Sequence, residues 1–342
     1  DGITSMLYLH HGLGHAFTSY DDYFDDALDD DALTYLTLAN KLIHTVDPAA
    51  MTIAEDVSGL PGLAVSEEEG GVGFDFRFAM GVPDYWIRLT KDTRDEDWPM
   101  AHLWYELTNR RFDEKTISYA ESHDQALVGD QTLIFRLMGD AMYHHMNVSD
   151  NHLIIDRGMA LHKMIRLLTL ATAGHGYLNF MGNEFGHPEW IDFPRRENNW
   201  SYLYARRQWH LMDDPGLKYS QLACFDRDMI RLARAYGLLE GSLRLVHTHN
   251  DDKVIAFERN RLVFAFNFHP VASFTDYFLY LPPGRYEWVF DSDKCRYGGH
   301  GRLDDARRGV FLSGPGKERP ESGLKLYLPC RTVLVLSRQD NT

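Results

Sequence analysis

The sequence predicts an α/β chain in two parts: a portion of a (β/α)8 TIM barrel over residues 1–238, then an all-β sandwich over residues 239–342. Two textures predict it. Up to about Tyr236, short apolar runs alternate with helical periods, and polar residues gather directly after each run, as at the C-terminal mouth of a barrel. Beyond Tyr236, apolar segments follow one another with turn residues between them and no helical period, the pattern of an antiparallel β-domain. A length of 342 residues also exceeds what one hydrophobic core usually organises.

The first helix is read from Ala32, Tyr35, Leu36, Ala39, Leu42, Ile43 and Val46, which recur at helical spacing behind the acidic caps Asp29 to Asp31. Asp47-Pro48 stops it, and the run Met51-Thr52-Ile53-Ala54 reads as a buried strand ending in Glu55 and Asp56. Phe74 to Phe78 is a second strand, Tyr85 to Arg111 is mostly helical, and Thr116 to Ala120 is a third strand leading into Glu121 to Asp124. A helix over roughly Arg157 to Ala173 precedes the strand Tyr177 to Met181, which ends in Gly182-Asn183-Glu184-Phe185-Gly186-His187. About five βα units can be counted rather than eight. In the second part, strands are expected at Arg244–Thr248, Val254–Arg259, Leu262–Phe268, Tyr277–Leu281, Tyr286–Asp291 and Leu324–Leu336. Asn250-Asp251-Asp252, Pro282-Pro283-Gly284 and Gly298-Gly299 mark the reversals.

The formal net charge of -15 repels phosphate backbones and anionic headgroups, which disfavours nucleic acid and membrane surfaces as partners and leaves a neutral partner such as a sugar open. Cys224, Cys295 and Cys330 form neither a CxxC pair nor a disulfide framework, so a reducing compartment is expected, the cytoplasm before a plastid. No apolar run approaches a bilayer span. The chain opens at Asp1 inside an apolar segment and reads as a fragment.

Three carboxylates stand at strand ends or the turns beyond them: Asp1, Glu55 and Asp124. Barrel geometry converges such positions on one mouth, and glycoside chemistry needs such a set, one carboxylate to attack the anomeric carbon and a protonated one to donate to the leaving oxygen. His10, His11 and His15, like His144 and His145, lack any metal-ligand motif, and no metal is expected. Gly314-Pro315-Gly316-Lys317 and Gly70-Gly71-Val72-Gly73 read as turns, not phosphate or dinucleotide loops. Trp190, Trp200 and Trp209 fall near the expected mouth, where indole rings can stack on sugar faces or fill a core.

Asp1-Gly2-Ile3-Thr4-Ser5-Met6-Leu7-Tyr8 resembles the nucleophile block of the 1,4-alpha-glucan branching enzymes of glycogen and starch biosynthesis, in the α-amylase clan. Thr52-Ile53-Ala54-Glu55-Asp56-Val57-Ser58-Gly59 is similar to the acid/base block, and Tyr119 to Asp130 to the block of the third carboxylate. Phe180 to Trp190 with Asp192-Phe193-Pro194-Arg195 resembles the last barrel strand and its loop, and Val263 to Pro270 with Asp291-Ser292-Asp293 the C-terminal β-domain.

The resemblance implies the C-terminal half of such an enzyme, with Asp1 as nucleophile, Glu55 as general acid/base and Asp124 as the carboxylate that fixes substrate hydroxyls. It places His123, Gln125 and Trp190 among the substrate-binding residues. It implies a retaining transfer of an α-1,4-glucan segment to a 6-hydroxyl, with glycogen, amylose or amylopectin as substrate and no cofactor. The upstream half of the same enzyme becomes the partner of this chain, the full-length form being a monomer. The clan's first block and the Arg two positions before the nucleophile have no counterpart here. An α-amylase-type hydrolase and a non-catalytic glucan-binding fragment are the rival readings.

Overall fold

Four short parallel strands, β1 (Ile53–Ala54), β2 (Phe76–Phe78), β3 (Thr116–Ser118) and β4 (Gly176–Tyr177), lie side by side in chain order in the computed structural model, which describes residues 2–127, 130–303, 310–315 and 322–339. The ladder registers Ala54 with Arg77, Phe78 with Ile117, and Ser118 with Tyr177. Each strand is shorter than its apolar run, so the residues that matter for chemistry sit in turns just past the sheet. Gly174 is required by this packing, because a Cβ there would meet Thr116 Oγ1 at 2.1 Å.

Contacts divide the chain into two units. One runs through Val82 and takes in Thr108–Ser118 and Ala173–Leu178; the other holds Pro83–Leu107, Tyr119–Thr172 and the chain from Asn179 onward. In the first unit the helix Asp30–Val46 begins as its acidic caps predict, the Asp29 carboxylate accepting from the Ala32 amide at 3.0 Å. Its Leu36 joins Leu7, Tyr8, Ala54, Leu60, Leu63 and Val72 in a core. The connection from β1 to β2 departs from the expected βα rhythm: only one short turn of 3-10 helix, Glu67–Glu69, interrupts it. Four parallel strands stand among the described residues where about five units were expected.

The second unit is organised by the helix Leu153–Thr172, buried nearly all round, its largely apolar sequence interrupted by His162, Lys163 and Arg166. Trp86, on the helix Gly81–Asp92, donates its indole N–H to Thr169 Oγ1 at 2.9 Å. Pro99 and the 3-10 turn Asp95–Asp97 separate that helix from Met100–Thr108, dividing the one helical stretch expected over Tyr85–Arg111. The helix Tyr219–Ala235, which carries a buried stripe of Tyr219, Leu222, Phe225, Met229 and Leu232, went unread in the sequence.

The β-domain is a single eight-stranded antiparallel ladder in the order β5-β6-β7-β12-β9-β10-β11-β8. Its strands are β5 (Leu243–His249), β6 (Val254–Arg259), β7 (Leu262–Asn267), β8 (Phe274–Tyr280), β9 (Gly284–Asp291), β10 (Val310–Pro315), β11 (Ser322–Leu328) and β12 (Thr332–Gln339). The edge strands face each other, His247 of β5 lying 3.0 Å from the Tyr277 hydroxyl of β8, so one folded sheet supplies both layers of the expected sandwich. The run expected as one strand over Leu324–Leu336 is β11 and β12, broken at Arg331 with its left-handed φ of 50°. Gly314-Pro315 ends a strand instead of forming a turn, while Gly316 and Lys317 lie outside the described residues. Central strands β6, β7 and β12 are buried on both faces, which explains their continuous apolar runs.

Buried cations tie the helices of this unit to its β-domain. Lys163 donates to the carbonyls of Ser292 at 2.9 Å and Tyr297 at 2.8 Å, and Arg259 to that of Ala171 at 3.1 Å. Asp95 accepts from Arg157 and, at 2.7 Å, from Arg331. Replacing Lys163 by Met orphans two buried carbonyls, and the expected cost is about 2–4 kcal/mol in chemical unfolding. An unchanged unfolding midpoint would show that these carbonyls find other partners.

Candidate active site

Glu55 is the first residue past β1 and is half-buried, its carbonyl accepting from the Ile3 amide at 3.0 Å. The next residue, Asp56, is buried, and its carboxylate is enclosed by donors. Oδ1 accepts from Thr4 Oγ1 at 2.6 Å, Ser58 Oγ at 2.8 Å and the Ser58 amide at 3.1 Å. Oδ2 accepts from the amides of Gly59 and Leu60 and from Arg77 Nη2 at 2.9 Å. Arg77 reaches on through Nη1 to Glu114 Oε2 at 2.9 Å and to the Leu60 carbonyl at 2.7 Å. The turn that carries Glu55 is therefore fixed by its neighbour, in the first unit. Asp1 lies outside the described residues.

The third carboxylate, Asp124, belongs to the second unit, in the loop that leaves β3. Its exposed side chain lies 3.2 Å from His123 Nε2, and its amide donates to Ser122 Oγ at 3.2 Å. Gln125 turns inward: its amide oxygen accepts from the Ser122 amide at 2.8 Å and hydroxyl at 3.0 Å, while Nε2 stands 3.5 Å from Asp84. The loop from 186 to 193 docks against this segment, with the Ile191 amide on the Ala126 carbonyl at 2.6 Å and Phe193 edge-on to His123. Trp190 stacks on Tyr204 at 5.2 Å, which covers one face of its indole. Trp200 and Trp209 are exposed. Val128 and Gly129 lie outside the described residues.

Three residues missed in the sequence, Glu121, Thr132 and Arg207, hold these loops. Glu121, fully buried, accepts from the Leu133 amide at 2.7 Å and so joins the two ends of the segment that carries His123 and Asp124. Thr132, capping the helix Leu133–Met138, donates to the Pro188 carbonyl at 3.0 Å. Arg207 donates to the carbonyls of Glu189 at 3.0 Å and Tyr204 at 3.2 Å, and stands 3.0 Å from His187 Nδ1. Burial, then Arg207, pushes the His187 imidazole down to about 4, so it is neutral at physiological pH. The available signal was a polar residue at a strand end, where Glu121 and Asp56 both stand.

Comparison with known proteins gives these loops their context. Residues 245–339 match the family model of the alpha amylase C-terminal all-beta domain. The 1,4-alpha-glucan-branching enzyme of Felis catus is 56% identical over 346 residues, covering 99% of this chain and 49% of that protein. That of Solanum tuberosum is 54% identical over 306 residues, covering 88% of this chain and 36% of that protein. Along nearly its whole length the chain is similar to branching enzymes. It spans about half the length of the curated relatives it matches. The alpha-amylase of H. orenii superposes with a TM-score of 0.53 at 13% identity, covering 95% of this chain and 60% of that one, a likeness of fold.

Burial raises the Glu121 carboxyl to about 7, against the lowering pull of the Leu133 amide, Arg166, Asn183 and Arg136. Between its ordinary 4.5 and about 7 the folded chain holds a proton that the unfolded chain releases, so stability falls as pH rises through that window. Glu121→Gln is expected to flatten this slope, worth roughly 3 kcal/mol across the window. Thermal unfolding from pH 5 to pH 8 checks it, and equal slopes in the two proteins would place the buried charge elsewhere.

Proposed function

We infer that this chain is part of a retaining 1,4-alpha-glucan branching enzyme that cleaves an α-1,4-glucan and passes the segment to a 6-hydroxyl, making an α-1,6 branch. The observation that carries the reading is identity of 56% to a branching enzyme along 99% of the chain. The positions of Glu55 past β1 and of Asp124 past β3 support it, since (β/α)8 enzymes carry their chemistry at strand C-termini. Glu55 is the general acid/base, Asp1 the nucleophile, and Asp124 the carboxylate that holds sugar hydroxyls and stabilises the oxocarbenium-like transition state. His123, Gln125 and Trp190 serve the substrate. Gln125 does so by shaping the Ser122–Asp124 turn, while His123 is an exposed imidazole beside Asp124.

Residues through 238 are assigned to the catalytic barrel and those from 239 to the β-domain, whose first strand starts at Leu243. The substrate is an α-1,4-glucan of the glycogen, amylose or amylopectin type, and the whole protein supplies further barrel strands from an upstream half. Three unpaired cysteines favour the cytoplasm.

In the whole protein, Glu55→Gln is expected to leave glucan binding nearly intact and to lower turnover by at least about a hundredfold, because the amide cannot donate the leaving-group proton. Binding isotherms and initial rates on amylose separate the two effects. Retention of most of the wild-type turnover would remove Glu55 from the acid/base role.

A second test concerns the chain's dependence on its partner half. Parallel strands with unpaired edges neither close a barrel nor hold carboxylates rigidly, so the 342-residue chain alone is expected to form no α-1,6 linkages and the upstream-extended protein to form them. Proton NMR of amylose digests counts the linkages, and chemical assay counts reducing ends. Reducing ends without branches from the extended protein would make it a hydrolase; glucan binding with neither product would make it a binding protein.

A further inference from the structure

We propose that the β-domain carries a binding cavity for the phosphate monoester of a hexose, at the end of the sheet where β6 turns into β7. The inference is independent of the carboxylate roles proposed above, and every residue it uses lies in the second unit.

A cavity of about 480 Å³ opens there, within the range of small-molecule sites, and Arg244, Arg261, Arg338 and Glu258 help to line it. Three guanidinium groups against one carboxylate leave a formal charge of +2, in a chain whose net charge is -15. Like charges gathered in one concave place repel one another and focus their field on it, so the arrangement favours an anion. Arg244 is matched from within, its Nε donating to Glu258 Oε2 at 2.9 Å. Arg338 donates from Nη2 to the Pro283 carbonyl at 3.2 Å, a neutral acceptor rather than a carboxylate. The frame is held by backbone. β6 and β7 join through Asn260 and Arg261 alone, both left-handed at φ 47° and 65°, in a tight hairpin turn where Asn and Gly are usual. An arginine at the second position is a costly choice that puts a cation into the cavity wall. The Arg338 amide donates to the Arg261 carbonyl at 2.7 Å, which ties the end of β12 to the turn. Asn260 is fixed as well: its Nδ2 donates to the Gly237 carbonyl at 3.1 Å, and a Cβ at Gly241 would meet its Cβ at 2.4 Å.

The lining selects among anions. A phosphate monoester carries about -1.5 to -2 at pH 7 and three acceptor oxygens, enough to neutralise the excess charge and to engage more than one guanidinium fork. A monocarboxylate supplies half the charge and two oxygens. The sugar part is read from the amides. Asn260 and Gln339 also line the cavity, and their nitrogens are occupied by the Gly237 carbonyl and, at 3.2 Å, by Glu287 Oε2. That leaves the amide oxygens to accept from ligand hydroxyls, which a hexose presents in number. A free hexose phosphate and a phosphate ester borne on a glucan chain share this chemistry.

The test titrates the whole protein with glucose 6-phosphate, inorganic phosphate and glucose by calorimetry at low ionic strength. Glucose 6-phosphate is expected to bind with a Kd below about 1 mM, and at least about tenfold more tightly than inorganic phosphate or glucose. Arg338→Gln and Arg261→Asn, the latter suited to the left-handed turn, are each expected to weaken it about tenfold or more with the melting temperature unchanged. Retention on a phosphorylated glucan and on its phosphatase-treated form separates the two sources. An arginine-dependent preference for the phosphorylated form places the ester on the chain, and equal retention places it on the free sugar. Inorganic phosphate binding as tightly as glucose 6-phosphate overturns the hexose, and glucose binding as tightly overturns the phosphate. Absence of glucose 6-phosphate binding overturns the proposal, as does binding that both variants retain in full. Weakening accompanied by a lowered melting temperature in both variants overturns it too, since the arginines then only hold the fold. None of these outcomes bears on α-1,6 linkage formation, so the proposed function stands or falls separately.

Discussion

The saturated carboxylate of Asp56 is the constraint on which the first unit depends. A carboxylate withdrawn from water must be repaid in hydrogen bonds and opposite charge, and here hydroxyls, consecutive amides and a guanidinium meet both oxygens. The need is local. No α-helix follows β1, so the long connection to β2 is ordered by turn hydrogen bonds, such as that of the Val72 amide to the Gly62 carbonyl, and by side chains. Asp56 orders its beginning, Glu114 accepts the Ala64 amide further on, and Arg77 joins the two carboxylates. Removing Arg77 leaves two buried carboxylates without their shared cation, which costs more than the pair contributes.

The second unit solves its own problem with cations. The helix Leu153–Thr172 is too buried to expose ordinary charged side chains, yet it carries Lys163 and Arg166 at its centre. Burial pushes the Lys163 ammonium down to about 8, with the nearby Asp293 and Asp291 pulling the other way. Its donation to two carbonyls of the segment Ser292–Tyr297 fixes β-domain backbone against helix, where apolar packing alone would specify position less sharply. Arg166 pairs with Asp226 on the helix Tyr219–Ala235 and donates to Asn179 at 2.9 Å, just past β4. The start of the loop past β4, at Asn179, and the docked β-domain thus lean on one helix.

Much of the fold was legible because periodicity and burial agreed. The helix Asp30–Val46 has an acidic cap and an apolar stripe, and β6 spans the residues its apolar run marks. The misreadings have physical causes. Tyr219–Ala235 intersperses Arg and Asp between the members of its apolar stripe, so its mean hydropathy hides the helix, while β11 and β12 join through a three-residue turn that presents no glycine. At the candidate site, Glu55, Asp124 and His123 were readable as polar residues after strands. Asp56 and Glu121 carried the same signal, but their burial and their partners fifty or a dozen residues away, such as Thr4 and Leu133, arise only from tertiary structure.

Internal anchoring also bears on what the surface can recognise. With a net charge of -15, the chain already favours neutral ligands over anionic ones. Arg77, Lys163, Arg166 and Arg259 are all buried, so several of its cations never face solvent. Buried carboxylates at Asp56, Asp95, Glu114, Asp291 and Asp293 balance them, so the net negative charge stands toward solvent, which opposes phosphate-rich partners and leaves an uncharged polysaccharide indifferent. Recognition of such a ligand must come from hydroxyl-matching polar groups and exposed rings. Both are present around Asp124, where the His123 imidazole stands beside the carboxylate and the exposed Phe193 ring packs edge-on against it.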